Sequence, residues 1–157
     1  MKKGFTLIEL LVIIAIIGIL SSILMTFLNN ARLASRDSRI ASSVRQFKNL
    51  MELNRGLDQV YDLGLFNSGS DGERLQNDIC AQQGVVATCG AQDPNNRIGG
   101  KRSGIVIYSP TTPTSYCAGA WLTSSSGGSA ACADSSGIFK SKYLGTDPCD
   151  LVNYKCK

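Results

Sequence analysis

The chain contains no histidine. That removes the side chain most often used as a general base or proton shuttle near neutral pH, and the commonest imidazole ligand for a metal. There is no Gly-x-Ser-x-Gly elbow and no phosphate-cradling glycine loop with its lysine, so neither acyl transfer nor nucleotide binding is expected from local motifs. No two of the six cysteines stand in a Cys-x-x-Cys spacing, which leaves zinc without its usual ligand pattern. Asp134, Asp147 and Asp150 are scattered carboxylates without a regular calcium-ligand spacing. The expectation is a protein that is not an enzyme and uses no cofactor and no metal.

What the chain has instead is concentrated at its start. A short basic leader, Met1-Lys2-Lys3-Gly4, runs into the apolar stretch FTLIELLVIIAIIGILSSILMTFL from Phe5 to Leu28, interrupted by one acid, Glu9. At about 1.5 Å per helical residue this stretch reaches roughly 36 Å, enough to cross a bilayer core. A secretory signal peptide has an apolar core of at most about 15 residues, so the run is too long for one. A carboxylate inside such a segment is costly and calls for a partner. On an isolated helix none is in reach, so the partner is expected from another chain.

Gly4-Phe5-Thr6-Leu7-Ile8-Glu9, with the basic leader before it and the apolar helix after it, resembles the cleavage motif of type IV prepilins and of the pseudopilins of type II secretion and competence systems. The resemblance implies that a membrane peptidase cuts after Gly4 and N-methylates Phe5. It also implies that Glu9 of one subunit meets the terminal ammonium of a neighbour, a pairing that offsets the burial of both charges and favours assembly in register. Many pilins have a proline late in this stretch, whereas Leu24 to Leu28 has none, and Thr26 stands about where it would be. Any local unwinding would then rely on Gly18, Ser21 and Ser22.

Beyond Leu28 the apolar period of three and four continues through Ile40, Val44, Phe47, Leu50 and Met51, the pattern of an amphipathic helix. Its end is expected at Asn54-Arg55-Gly56, or near Leu63-Gly64 if Leu57, Val60 and Tyr61 extend the stripe. The same half carries Arg32, Arg36, Arg39, Arg45 and Lys48 against few acids. That bias reads first as a solvated face, with acidic lipid headgroups or acidic groups of adjacent subunits as the specific alternatives.

From about Asp62 the composition shifts toward glycine, serine, asparagine and threonine, and all six cysteines follow: Cys80, Cys89, Cys117, Cys132, Cys149 and Cys156. An even number beyond a membrane anchor points to disulfides in an oxidising space. Fifteen pairings are open, and closeness in sequence favours Cys80 with Cys89, Cys117 with Cys132, and Cys149 with Cys156. The last would close a loop resembling the C-terminal disulfide loop of many pilins. Strands are expected at 104–108, 116–122, 130–133 and 138–140, forming an antiparallel meander, with a capped short helix from Ser70 ahead of Cys80. The segment from Cys132 to Phe139 is similar to a Cys-x-Asp-Ser-x-Gly strand and turn of some pilin-like proteins. Arg97, Lys101, Arg102, Lys140, Lys142, Lys155 and Lys157 make DNA a candidate partner, though their charge is scattered.

The expected fold class is α+β, a long N-terminal helix packed on a small antiparallel sheet with disulfides. The divisions are a leader at 1–4, a transmembrane half-helix at 5–28, an amphipathic half-helix at 29–61 and an extracytoplasmic head at 62–157. The resemblance implies a filament subunit, with a pseudopilin as the alternative within the family and a signal-anchored binding module that never polymerises as the alternative outside it. Implied partners are other copies or related pilins in a helical filament, a prepilin peptidase, a pilus assembly platform and membrane lipid. The implied location is the cytoplasmic membrane, single-pass with the N-terminus inside, and afterwards a surface pilus or envelope-spanning pseudopilus. Adhesion would fall to the region between helix and sheet and to the C-terminal loop.

Overall fold

The computed structural model describes residues 6–62, 69–84, 104–110, 114–123, 128–145, 147–150 and 152–157. They form an α+β protein: α1 (Leu7–Leu53), α2 (Asp71–Gln83), β1 (Ile105–Tyr108), β2 (Cys117–Trp121), β3 (Ser129–Asp134) and β4 (Phe139–Leu144). Two compact units divide the chain, Met1–Ala34 and Ser35–Lys157. In the first, the leucines and isoleucines of α1 from Leu7 to Leu28 are exposed, with Ile13 the most covered of them at 44%.

The second unit has a core of its own. Ile40, Val44, Phe47 and Met51, spaced by four, three and four, are fully buried, as the stripe in the sequence predicts. They meet Tyr61, Ile79, Tyr116 and the inward alanines Ala118, Ala120, Ala131 and Ala133. Alanine on the sheet face lets the helix come close, and α1 sets Ile40, Val44, Phe47 and Met51 against it. Burying each of the four helix residues contributes about 1.5–3 kcal/mol before entropy is counted.

α1 ends at Leu53, at the earlier of the two expected positions, so the amphipathic half does not run on to residue 61. Both the backbone and the side-chain amide of Asn54 donate to the Leu50 carbonyl, at 3.1 and 2.9 Å. Gly56 N–H then donates to Val60 O and Gln59 N–H to Gly56 O, both at 2.9 Å, while Asp58 Oδ1 accepts from Val60 N at 3.2 Å. These local bonds outcompete another helical turn. Leu57 is left fully exposed and Tyr61 swings back into the core, so residues that share a helical period part company.

α2 begins where the sequence places it and runs further than expected. Ser70 caps it, its hydroxyl accepting from Glu73 N at 3.2 Å, and Gly84 closes it in the left-handed conformation at φ 74°. Two glutamines tie it to the sheet: Gln76 Oε1 accepts from Ile105 N at 2.8 Å, and Gln83 bridges Gly104 N and Trp121 O at 2.7 and 2.8 Å.

The four strands form one antiparallel sheet in the order β1-β2-β3-β4, the meander the turns predict. Between Ala130 and Cys132 the register with β4 slips by one residue. That bulge and the exposed Lys140 and Lys142 discourage another strand from adding to the open edge.

The disulfide pairing differs from the one favoured by sequence proximity. Cys117 bonds Cys149 and Cys132 bonds Cys156, with Cα–Cα distances of 5.8 and 5.9 Å. The register explains it: Cys117 lies opposite Asp134, and Cys132 opposite Gly119, so the two sheet cysteines are diagonal neighbours. Such neighbours are about 7–8 Å apart, beyond the Cα separation of about 4.4–6.8 Å that a disulfide tolerates. Cys149 and Cys156 face each other in a short bridge, and each reaches one sheet cysteine. Both bonds therefore clasp residues 147–150 and 152–157 onto the outer sheet face instead of closing hairpins. Cys80 is buried in α2; Cys89, its expected partner, lies outside the described residues.

Candidate functional site

At the start of α1 the backbone N–H groups of the first turn have no helical acceptor. Thr6 and Glu9 answer this together. The Thr6 N–H and hydroxyl donate to Glu9 Oε2 at 2.9 and 2.8 Å, and Glu9 N donates back to the Thr6 hydroxyl at 3.4 Å. This reciprocal Thr-x-x-Glu arrangement is a capping box. It corrects the expectation that no partner for Glu9 is in reach on an isolated helix: the partner is the helix's own N-terminus, whose positive end also favours a carboxylate. Thr6 is thus a capping position that a reading centred on charge pairs misses, although the T-x-x-E spacing announces it.

Two hydroxyls further along this segment bond within the helix. Ser22 donates its hydroxyl to Ile19 O at 2.8 Å and Thr26 to Ser22 O at 3.3 Å, so both fold back on the helix as hydroxyls do in apolar surroundings. A side chain added at Gly18 would meet nothing within 4 Å, so its smallness serves nothing inside its own chain. α1 is long and apolar enough to cross a membrane, and none of its most apolar window is buried. Gly4 and Phe5, the expected cleavage and methylation positions, lie outside the described residues.

Residues 1–25 match the family model described as the prokaryotic N-terminal methylation motif. The chain carries a class III prepilin-type signal. No curated protein and no solved structure matches the chain. The matched signal ends inside the apolar stretch, so it covers Gly4, Phe5, Thr6 and Glu9 together and leaves the head to be read from its own geometry.

Among the described residues of the head, several side-chain bonds converge on Asp134. It is fully buried. Its Oδ1 accepts from Ser136 N at 2.9 Å, Ser136 Oγ at 2.6 Å and Ile138 N at 3.2 Å, while Oδ2 accepts from Cys156 N at 2.8 Å. The Cys-x-Asp-Ser segment thereby shapes the β3–β4 turn and anchors the clasp, rather than presenting a surface carboxylate. Gly119 is the second anchor: a Cβ there would stand 2.5 Å from Pro148 Cγ, so only glycine leaves room for the buried Pro148.

The tip of the clasp is ordered by Asp150, which accepts from Val152 N at 2.8 Å and from Asn153 Nδ2 at 3.2 Å. The Val152 amide first, and then Asn153, hold its carboxyl below the ordinary aspartate range. These bonds occupy the group considered for calcium. Among the expected basic positions, Lys140, Lys142, Lys155 and Lys157 stand on β4 and the clasp, whereas Arg97, Lys101 and Arg102 lie outside the described residues. Under the sheet, burial first and then the Glu52 carboxylate push the Tyr116 phenol well above its ordinary range, and Tyr61, which donates to Glu52 Oε1 at 3.1 Å, is raised for the same reasons.

Proposed function

We propose that this chain is a noncatalytic structural subunit of a type IV pilus-like filament, cleaved after Gly4, N-methylated on Phe5 and polymerised through α1. The match of residues 1–25 to the methylation motif carries the reading. The exposed apolar half of α1 supports it, because that surface needs a bilayer or other helices around it. Before assembly the subunit sits in the cytoplasmic membrane with the Glu9 carboxylate held by Thr6. On assembly the new terminal ammonium of a neighbour takes over part of that role, so Glu9 exchanges a dipolar partner for a charged one. Glu9→Gln keeps the size, removes the charge and gives subunits that are cleaved but assemble poorly; normal filaments from this variant would refute the pairing.

A pseudopilin of a secretion or DNA-uptake machine is the second reading, since the signal is common to both. Shearing producing cells and determining the N-terminus of the chain by mass spectrometry separates them. Methylated Phe5 in abundant sheared filaments marks a pilin, and the same terminus confined to the membrane marks a pseudopilin or minor subunit. An uncut Met1-Lys2-Lys3-Gly4 leader in both fractions would overturn both in favour of an anchored module.

A further inference from the structure

Arg32 and Arg36, just past the apolar run, are charged groups that take no part in an ion pair of the fold among the described residues and none in the proposed function. Between Glu9 and Glu52 the sequence of α1 holds a single acid, Asp37, and that acid is engaged elsewhere: its Oδ1 accepts from the N–H and hydroxyl of Thr123 at 2.6 and 2.9 Å. Arg39 has Asp78 at 3.8 Å. Arg32 and Arg36 are exposed and make no ion pair among the described residues.

Their positions along α1 fit a bilayer surface. Leu7 to Leu28 spans about 33 Å as helix, matching a hydrocarbon core of about 30 Å, beyond which the headgroup layer extends about 5–7 Å on each side. Arg32 lies four residues past Leu28 and Arg36 eight, about 6 and 12 Å further along a helix axis. Helical side chains lean toward the N-terminus, here back toward the bilayer, and long basic side chains extend to place their charge at the headgroup level. Basic residues at the far end of a span whose N-terminus is inside go against the usual orientation bias. Guanidinium groups suit phosphate, which they grip through paired N–H donors.

Resting on the membrane placement proposed above, we infer that Arg32 and Arg36 bind the phosphate groups of anionic phospholipids in the leaflet at the outer end of the span. The contact sets the depth of the waiting subunit and must be released when the subunit leaves the bilayer.

The test is the full chain reconstituted in mixed phosphatidylcholine and phosphatidylglycerol vesicles, with spin-labelled lipids reporting which headgroup sits against it. Wild type should prefer phosphatidylglycerol, Arg32→Gln with Arg36→Gln should lower the preference roughly fivefold per arginine, and the paired change to lysine should retain most of it. Lys140→Gln with Lys142→Gln should leave it unchanged. Equal preference in the double glutamine variant, none in wild type, or a preference that follows Lys140 and Lys142 would each overturn the inference. Flotation with the vesicles after an alkaline wash keeps the two readings apart. A chain that fails to float refutes the membrane placement itself, and one that floats without headgroup preference refutes this contact alone.

Discussion

Isoleucine meets opposite fates in the apolar half of α1 and in the core of the second unit. Ile13 and its neighbours in the first unit are 44% exposed or more, whereas Ile40 and Ile79 in the second are fully buried. Residue type is the same, so the difference lies in what surrounds it. A soluble domain does not leave this much contiguous apolar surface in water. The first unit therefore presents an apolar surface that its own chain does not cover among the described residues, and the second, with its core and disulfides, is a folded body. The sharpest contrast is expected from Phe47→Ala and Ile13→Ala. Phe47 is fully buried and meets Tyr116 edge-on with ring centroids 6.4 Å apart, so its truncation should destabilise the head by about 3–5 kcal/mol. Ile13→Ala should leave head stability unchanged in detergent. Denaturant titration followed by the fluorescence of the single tryptophan, Trp121, measures both; a comparable loss from Ile13→Ala would show that the two units share a core.

The next effect sharpens the contrast in how the head is held. The 117–149 and 132–156 bonds span 32 and 24 residues, and loop-closure entropy assigns each about 3.5 kcal/mol. Replacing Cys117 and Cys149 together by serine should cost about that much and free the C-terminal segment to protease first, while α1 and β1 remain protected. Peptide mapping of the intact protein should recover the two crossed bridges; recovering 117–132 and 149–156 would refute the clasp.

How far the sequence led is clear from these two units. The N-terminal helix, the stripe Ile40-Val44-Phe47-Met51, the four strands and the Ser70 cap were legible because each depends on local period or local turn chemistry. The disulfide pairing was not, because it depends on a two-residue offset between β2 and β3 and on where a C-terminal segment crosses the sheet. Nor did the helical spacing of Leu57 and Tyr61 foretell their separation, since that rests on side-chain bonds of Asn54 and Asp58 in a turn. The Thr6 cap on Glu9 was announced by its local spacing, whereas Asp134 was visible only as a motif member, because its bond from Cys156 N joins residues 22 apart in sequence.

A smaller effect is expected at Gly119, where the clasp meets the sheet. An added methyl would collide with Pro148, whose ring cannot rotate aside, so Gly119→Ala should cost about 1–3 kcal/mol. The loss should concentrate in faster amide exchange of residues 147–157. Gly18→Ala, placed where an added Cβ meets nothing, should leave the isolated chain unaffected and alter only assembly. If Gly18→Ala unfolded the chain and Gly119→Ala did not, the division between an unfilled interface and a filled core would be reversed.

The smallest effect comes from within the core itself. The Tyr116 hydroxyl is buried and has no hydrogen-bond partner among the described residues, so Tyr116→Phe should be neutral or stabilising by up to about 1 kcal/mol. Its pH signature is distinctive. Burial raises the phenol's pKa in the folded state, and Tyr61 shifts the same way, so the stability they contribute is fully present below the ordinary tyrosine pKa of about 10 and is lost as pH rises above it. Wild type should therefore hold its stability up to about pH 10 and then decline, with Tyr116→Phe declining less steeply. Detergent-solubilised protein melted across that range gives the answer. Identical alkaline profiles for the two proteins would mean that the phenol is solvated after all, and that the seam between α1 and the sheet is looser than its packing indicates.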